Sequence, residues 1–329
     1  MSNALSSAQL RITALWAFSE AFLGGILHGL HVPFTGLILS SFAAVCMCAL
    51  ALHQFSPGKI IHATILVMIV KLTLSPHTPF TAYFAVLLQG TCCELLFSLK
   101  VPYKISCYIT ALFALMQSAF QKLIVLTILF GVDGWKALDD FLNEVLETFG
   151  SVHTSYSIYI ISIYLLLHFM SGLIAGRFAS QLPQLQPMNV AYKATVAFPS
   201  TPSKKKSRWN SFIYYIFFAL TAALIYKMYA SENFLDWAGS KPMKLIVRSL
   251  IIIVFWYFFL SPLLLKLLRR WLTGKKNSLS AETENVLLLL PEMKQIVYYA
   301  WLISSQKNGV KRITLFMRNC FRMLLVNPE

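Results

Sequence analysis

The sequence predicts an all-α, polytopic helical membrane protein with about eight transmembrane helices and with its N-terminus and C-terminus in the cytoplasm. Hydrophobic residues make up 57% of the 329 residues, and the mean hydropathy is +0.64. Only 12% of the residues are charged, which is about half the share found in soluble domains. Several apolar runs approach or exceed the roughly 18 residues that indicate a membrane-spanning helix. The composition therefore favours a helical bundle in lipid over a soluble fold.

Prolines and glycines divide the apolar runs into separate helices. A proline lacks a backbone N–H and disfavours the helical conformation in the residue before it, so helices end or begin near it. The breaks fall at Pro33, Ser56-Pro57-Gly58, Pro76, Pro79 and Pro102. The predicted helices cover approximately residues 12–30, 34–54, 59–75, 80–98, 103–130, 154–176, 210–229 and 245–268.

The segment from residue 133 to residue 150 differs in composition from the predicted spans around it. It carries five acidic residues and one lysine, and its apolar residues recur at helical spacing. This pattern predicts an amphipathic acidic helix that is too short and too charged to cross a membrane.

The distribution of basic residues predicts the topology. The formal net charge is +15, and Lys and Arg accumulate in the cytoplasmic loops of membrane proteins. One arrangement places Arg11 and the run Lys204-Lys205-Lys206 in the cytoplasm and the acidic segment outside. We therefore expect a multi-pass protein of the cytoplasmic (inner) membrane, with membrane lipids among its partners. Nucleic acid is not an expected partner, because no nucleic-acid-binding module is recognisable.

Composition also divides the chain into four parts. Residues 1–180 are predicted to form a six-helix membrane domain, 181–208 a basic, proline-rich cytoplasmic linker, 209–270 a two-helix membrane unit and 271–329 a basic amphipathic cytoplasmic tail. Within the tail, residues 310–326 combine basic and apolar side chains at helical spacing. Such a helix lies on the membrane surface or docks to a protein partner, and the sequence leaves both open.

Charged and amide side chains fall inside several of the predicted spans. A charge in hydrocarbon costs at least about 2.5 kcal/mol, so such groups usually face a cavity, a partner or a substrate path. Glu20 and Glu94 are the candidate buried acids. The alternatives are hydrogen bonding among these groups and, for the lysines, snorkelling to the membrane surface. The candidate solute-binding residues are His28, His31, Lys71, Gln89, Gln117, Gln121 and Lys122.

Small residues recur at every fourth position of the first predicted helix, at Ala17, Ala21, Gly25 and Gly29. This spacing lets a second helix approach closely. These four residues are therefore the candidate helix-docking positions.

The sequence holds no motif typical of a hydrolase, a kinase or a zinc protease. Its six cysteines lack the Cys-x-x-Cys spacing of zinc and redox sites. His28 and His31 share a helical face, but no acidic pattern supplies the remaining ligands of a metal. No metal, cofactor or catalytic residue is expected, and an intramembrane enzyme stands as a third interpretation behind the two functions given below.

The segment from Leu15 to about Ser180 resembles the substrate-binding S components of energy-coupling factor (ECF) vitamin transporters. The resemblance rests on six compact predicted helices, on the Ala17/Ala21 spacing and on the short connection from His31 to Gly36. It implies that Ala17 and Ala21 contact a transmembrane coupling subunit and that solute binds in the outer half of the domain. S components usually end after the sixth helix, whereas this chain continues with two helices and a tail.

Two functions follow as expectations. The first is a solute-binding subunit of an importer that works with separate coupling and ATPase proteins. The second is a non-catalytic scaffold or assembly subunit of a larger membrane protein complex, with membrane and cytoplasmic proteins as partners. The first expects polar side chains around a cavity open to the exterior, and the second expects them to satisfy one another.

Overall fold

The computed structural model describes residues 5–29, 34–53, 55–75, 78–147, 154–188 and 241–324. Within these ranges every regular element is helical, which confirms the all-α class. The predicted helix 210–229 and most of the predicted linker 181–208 lie outside the described residues. The helices are α1 (Ser7–Phe18), α2 (Gly24–Gly29), α3 (Thr35–Leu52), α4 (Lys59–Leu74), α5 (Phe80–Ser98), α6 (Tyr103–Glu147), α7 (Tyr156–Ser180), α8 (Lys241–Phe255), α9 (Ser261–Ser278), α10 (Ser280–Ile303) and α11 (Gly309–Leu324).

Six helices in the described part of the chain are long and apolar enough to cross a membrane. Their composition supports a multi-pass membrane protein, while the count of eight spans and the orientation of the termini stay predictions. The last of the six falls in the region predicted as a cytoplasmic tail. The candidate spans are Thr35–Leu52, Phe80–Ser98, Tyr103–Glu147, Tyr156–Gln184, Ser249–Lys276 and Ser280–Gln306.

The first helix begins earlier than predicted and is interrupted. Ser6 accepts a hydrogen bond from the backbone N–H of Gln9, and the Gln9 side chain accepts one from the backbone N–H of Ser6. This capping box starts α1 at Ser7 instead of residue 12. A π-helical turn, Ser19–Leu23, then separates α1 from α2.

Helix α6 joins two segments that the sequence separates. It contains a kink at Gly131, whose φ of 71° and ψ of −176° are not helical. A positive φ suits glycine, which has no Cβ to clash with the backbone. The predicted fifth helix ends at Phe130, immediately before this kink, and the acidic segment is helical after it.

The helices form two compact units. Unit 1 comprises Met1–Leu123, Ile158–Thr195 and Leu260–Glu329, and unit 2 comprises Ile124–Ser157 and Val196–Phe259. The predicted tail therefore belongs to the same unit as most of the predicted six-helix domain.

Neighbouring helices in unit 1 run in opposite directions. Glu94, near the end of α5, contacts Ile60 at the start of α4, which makes α4 and α5 antiparallel. Thr81, at the start of α5, contacts Gln121 in α6. Tyr103, at the start of α6, donates a hydrogen bond to the carbonyl of Ala179 at the end of α7. This alternation is the arrangement of helices that cross a membrane in succession.

The C-terminal helices of unit 1 pack against its N-terminal helices. Helix α10 contacts α1 and α4, and α11 contacts α1 and α10. The ring of Phe321 in α11 lies 6.3 Å from that of Phe42 and 6.1 Å from that of Phe178, centroid to centroid. The apolar side chains that α10 buries are Val286, Leu290, Met293, Ile296 and Ala300.

Glycine permits the close approach of α6 and α7 in unit 1. A Cβ added at Gly176 would lie 2.8 Å from the Cα of Tyr108 and 2.9 Å from its Cδ1. We expect Gly176→Ala to lower the free energy of unfolding by about 1–3 kcal/mol, because backbone atoms cannot move aside at low cost. The SDS midpoint of unfolding in mixed micelles measures this change.

Gly274 in α9 supplies the matched control for this prediction. A Cβ there would meet nothing within 4 Å, so Gly274→Ala is expected to be neutral or to stabilise the helix by up to about 1 kcal/mol. Equal effects of the two substitutions would contradict the close-packing argument.

Candidate functional site

Glu20 and Lys71 form an ion pair inside unit 1. The Lys71 Nζ atom lies 2.6 Å from Glu20 Oε2, and the two residues are only 4% and 5% exposed. The same nitrogen lies 5.8 Å from the centroid of the Tyr83 ring, within cation–π range. The two charges therefore balance each other away from solvent.

The π-helical turn Ser19–Leu23 supplies the acid of this pair. A π turn fits one extra residue into the helix and occurs frequently at functional sites. The hydroxyl of Ser19 donates to the carbonyl of Trp16 at 2.8 Å. The indole Nε1 of Trp16, four residues before Glu20, is buried and has no hydrogen-bond partner in the protein. The helix that leads into this π turn thus contains one buried donor that the protein leaves unused.

Three of the predicted solute-binding residues form a row of amides between α5 and α6. Gln89 Nε2 donates to Gln117 Oε1 at 2.7 Å and to Ser40 Oγ at 3.3 Å. Gln117 Nε2 donates to Gln121 Oε1 at 2.9 Å, and Gln121 Nε2 donates to the carbonyl of Thr81 at 3.2 Å. Each amide in the row therefore has a partner within the chain.

Glu94, the second predicted buried acid, caps a helix of the same unit. Its carboxylate accepts backbone hydrogen bonds from Gly58 at 2.7 Å, Ile60 at 2.8 Å and Ile61 at 3.2 Å. Gly58 itself has no side chain to cap α4, so the carboxylate of α5 satisfies N–H groups that would otherwise be orphaned. Its negative charge also suits the positive end of the helix dipole.

Replacing Glu94 tests this capping role. We expect Glu94→Ala to destabilise the protein by about 2–3 kcal/mol, because it leaves buried N–H groups without acceptors. Glu94→Gln keeps one acceptor oxygen and should cost roughly half as much. Unfolding in mixed micelles measures both values, and a neutral Glu94→Ala would contradict the role.

Lys122 occupies a different environment from Lys71. It is exposed. Its neighbour Gln121 donates a hydrogen bond to the carbonyl of Thr81, the second residue of α5. That position is level with the end of a candidate span, where a long cationic side chain can snorkel. Lys122 is therefore open to its surroundings, whereas Lys71 is enclosed with Glu20.

The predicted docking residues are divided in the structure. Ala17 and Ala21 are buried, and α1 packs against α3, α4, α10 and α11 of the same chain. Gly25 is exposed, and a Cβ there would meet nothing within 4 Å. His28 and Gly29 are described only as part of helix α2, without their surroundings. His31 lies outside the described residues.

Arg11 heads a second buried cluster, which sequence reasoning missed. Its Nη2 lies 2.6 Å from Glu292 Oε1 and 3.4 Å from the carbonyl oxygen of Met323, and its Nη1 donates to the carbonyl of Leu324 at 3.1 Å. Similarly, the imidazole of His62 in α4 contacts the carboxylate of Glu282 in α10. These contacts connect the C-terminal helices to α1 and α4. No local signal predicts them, since Arg11 and Glu292 are 281 positions apart.

His168 in α7 is another buried polar residue outside the predicted set. Its Nδ1 lies 2.9 Å from the carbonyl oxygen of Tyr164, and the two rings lie 4.4 Å apart, centroid to centroid. The Tyr164 ring stacks in turn on Phe34 at 6.1 Å. A histidine inside a long apolar run is the signal that could have identified it.

Among the described residues, no three His, Cys, Asp or Glu side chains come together as metal ligands. The six cysteines are free thiols, and five of them are buried. No protein-family model matches the chain, and comparisons with characterised proteins and with solved structures find no significant similarity.

Proposed function

We propose that this chain is a non-catalytic scaffold or assembly subunit of a larger protein complex in the cytoplasmic membrane. The observation that carries the proposal is the closed Glu20–Lys71 pair, whose atoms lie 2.6 Å apart with both side chains buried. A solute-binding lysine needs its charge free for the solute, whereas this lysine is neutralised by a carboxylate of its own chain.

The amide row supports the same function. Gln89, Gln117 and Gln121 donate to one another or to the backbone, so the side-chain N–H groups of all three amides already have acceptors within the chain. Polar groups that satisfy one another inside a bundle fix the packing of helices in lipid. In a scaffold subunit that rigidity is the useful property, because partners need a fixed surface.

The surfaces for partners would then be the exposed faces of the helices. Helix α7 exposes large apolar side chains along its length, from Ile158 to Ile174, the latter 70% exposed. In unit 2 the acidic helix exposes Phe141 and Val145 next to its carboxylates. The first face suits lipid or a transmembrane helix, and the second suits a basic, apolar protein surface.

Purification of the full-length tagged chain from its native membranes tests the proposal. Extraction in a mild detergent should yield other membrane proteins in a fixed ratio to the chain. A thermal-shift panel of small polar solutes should give no saturable increase in Tm. A chain that purifies alone and is stabilised by a solute would overturn the scaffold function.

A solute-binding importer subunit is the second candidate, and one observation favours it. The buried Nε1 of Trp16 has no acceptor in the protein, and a buried donor without a partner is costly unless water or a ligand occupies the site. A solute bound next to the Trp16 indole would supply that acceptor. This proposal keeps the outward-facing site that the ECF resemblance implies.

Lys122 gives the importer proposal its own prediction. If solute enters from the exterior past this exposed lysine, Lys122→Ala should weaken binding of an anionic solute by about fivefold or more, as expected for loss of a charge-assisted contact. Lys104→Ala, at an exposed position near the start of α6, is the control. Isothermal titration of both variants measures the effect, and equal affinities would contradict a role for Lys122.

A further inference from the structure

The junction between α10 and α11 carries an exposed surface that is both basic and apolar. We define the junction patch as Trp301, Lys307, Val310, Lys311, Arg312 and Ile313. Val310 is 79% exposed, Ile313 57% and Trp301 46%. Lys307 and Lys311 are exposed as well, so the patch presents cations and large apolar groups side by side.

The aromatic and cationic groups of the patch are arranged together. The guanidinium carbon of Arg312 lies 4.0 Å from the centroid of the Trp301 ring, the geometry of a cation–π contact. The stack holds an arginine beside the indole at the end of α10. Indole rings and basic side chains in combination are typical of the headgroup region of a bilayer.

The apolar side chains of α11 divide into two groups. Those near its end, Phe321, Met323 and Leu324, are buried against the chain itself. Those in its first turns, Val310 and Ile313, are exposed. The docking of the helix to α1 and α10 therefore leaves the apolar side chains of its first turns exposed.

The charge of this region is of one sign. From Met293 to Leu324 the sequence contains six Lys or Arg residues and no Asp or Glu. Two of the six are engaged by the chain itself, because Arg318 donates to Gln181 Oε1 at 3.2 Å and Arg322 donates to the carbonyl of Gln186 at 3.0 Å. Of the other four, Lys294 lies within α10, and Arg312 stacks on Trp301 next to Lys307 and Lys311.

We propose that the junction patch binds the anionic lipid headgroups of the membrane in which the protein is embedded. The occupant must offer negative charge to the cations and hydrocarbon to Val310, Ile313 and Trp301, and an anionic lipid surface offers both. Continuity with a candidate span supports this choice, since the patch comprises Trp301 near the end of Ser280–Gln306 and residues that follow it. A soluble polyanion such as nucleic acid would match the charges but would leave the apolar groups in water.

Lipid titration of the full-length protein tests the proposal. Phosphatidylcholine, alone or mixed with an equal amount of phosphatidylglycerol, is added to the protein in a neutral detergent, and the Tm is recorded. The Tm of the wild-type protein should increase more with the mixture than with phosphatidylcholine alone. Each cation near an anionic surface contributes about fivefold in affinity. In the Lys307→Gln, Lys311→Gln variant, the phosphatidylglycerol concentration that gives half of the Tm increase should therefore rise at least about tenfold.

The matched control removes the same charge elsewhere in unit 1. Lys100→Gln with Lys104→Gln alters two exposed lysines beside the ends of two candidate spans. Because these lysines also lie near headgroups, some loss of the response to phosphatidylglycerol is expected, and it should be smaller than the loss in the Lys307/Lys311 variant. The response to phosphatidylcholine should be the same in all three proteins, which shows that they are folded.

Three results would overturn the proposal. The first is an unchanged response in the Lys307/Lys311 variant. The second is an equal loss in the control, which would show an effect of net charge alone. The third is equal stabilisation by soluble polyphosphate with the same dependence on Lys307 and Lys311, which would point to a soluble anionic partner. A further loss on Ile313→Ser, seen with phosphatidylglycerol only, would support insertion of the apolar groups.

Discussion

Replacing Lys71 by methionine while Glu20 is retained is expected to lower the free energy of unfolding by about 3–5 kcal/mol. The substitution leaves a carboxylate that is almost fully buried without its cation. A buried charge without a partner costs several kcal/mol, and protonation of the carboxyl would recover only part of it. SDS-induced unfolding in mixed micelles, followed by tryptophan fluorescence, measures the loss.

Removing both charges should restore most of the stability. The double variant Glu20→Leu, Lys71→Met loses the attraction between the two ions, but it also avoids the free-energy cost of removing both ions from water. Replacing a buried ion pair with apolar residues in this way often leaves protein stability unchanged or increases it. The coupling between the two substitutions should therefore be large and favourable in a double-mutant cycle. If Lys71→Met alone is neutral, the pair is hydrated, and the argument for a closed site fails.

The same double variant separates the two functional proposals. A scaffold subunit without these charges still presents the same surfaces, so its partners should co-purify as they do with the wild-type chain. An importer subunit whose solute site includes Lys71 should lose solute binding. The solute-binding assay on this variant therefore separates the two functions, because only the importer function predicts a loss.

Replacing Arg11 by glutamine is expected to lower the free energy of unfolding by about 2–3 kcal/mol and to loosen the C-terminal helices. Arg11 bonds a carboxylate in α10 and two carbonyls at the end of α11, and glutamine cannot span these acceptors. The loss is smaller than for Lys71, because the Glu292 side chain is 27% exposed and retains some hydration. Limited trypsin digestion should show faster cleavage between residues 280 and 324.

Two controls accompany this prediction. Arg11→Lys keeps the charge but not the planar group with several donors, so it should fall between the wild type and Arg11→Gln. Arg177→Gln removes an exposed arginine from α7 and should leave both stability and cleavage unchanged. Unchanged cleavage in Arg11→Gln would show that Arg11 does not hold the C-terminal helices in place.

Local patterns predicted the helices well because their signals lie within a few residues. Pro79 and Pro102 each precede a helix that begins within one residue of its predicted start. The early start of α1 arises from a pair of side chains, Ser6 and Gln9, that were not considered as a capping box. Gly131 kinks α6 next to the predicted helix end, but the sequence does not specify which φ and ψ a glycine adopts, so the kink itself was not predicted.

The candidate site was predicted as a set of residues but not as a set of pairs. Composition identifies Glu20 and Lys71 as costly charges in lipid, but it does not show that each is the partner of the other. Likewise, Glu94 was identified as buried, while its role as a cap for α4 depends on the antiparallel packing of α5. Pairing is a property of three-dimensional packing, and no periodicity within one helix encodes it.

The attachment of the last helices to the first has a consequence for biosynthesis. Arg11 leaves the ribosome 281 residues before Glu292 does. At about 5–20 residues per second, the nascent chain waits roughly 15–60 seconds before its opening helix meets that carboxylate. Throughout this interval Arg11 lacks the carboxylate and the two carbonyl groups that it contacts in the folded chain, so water or other molecules must supply its acceptors. Premature termination upstream of residue 280 would make that temporary state permanent, since every one of these partners lies beyond residue 280.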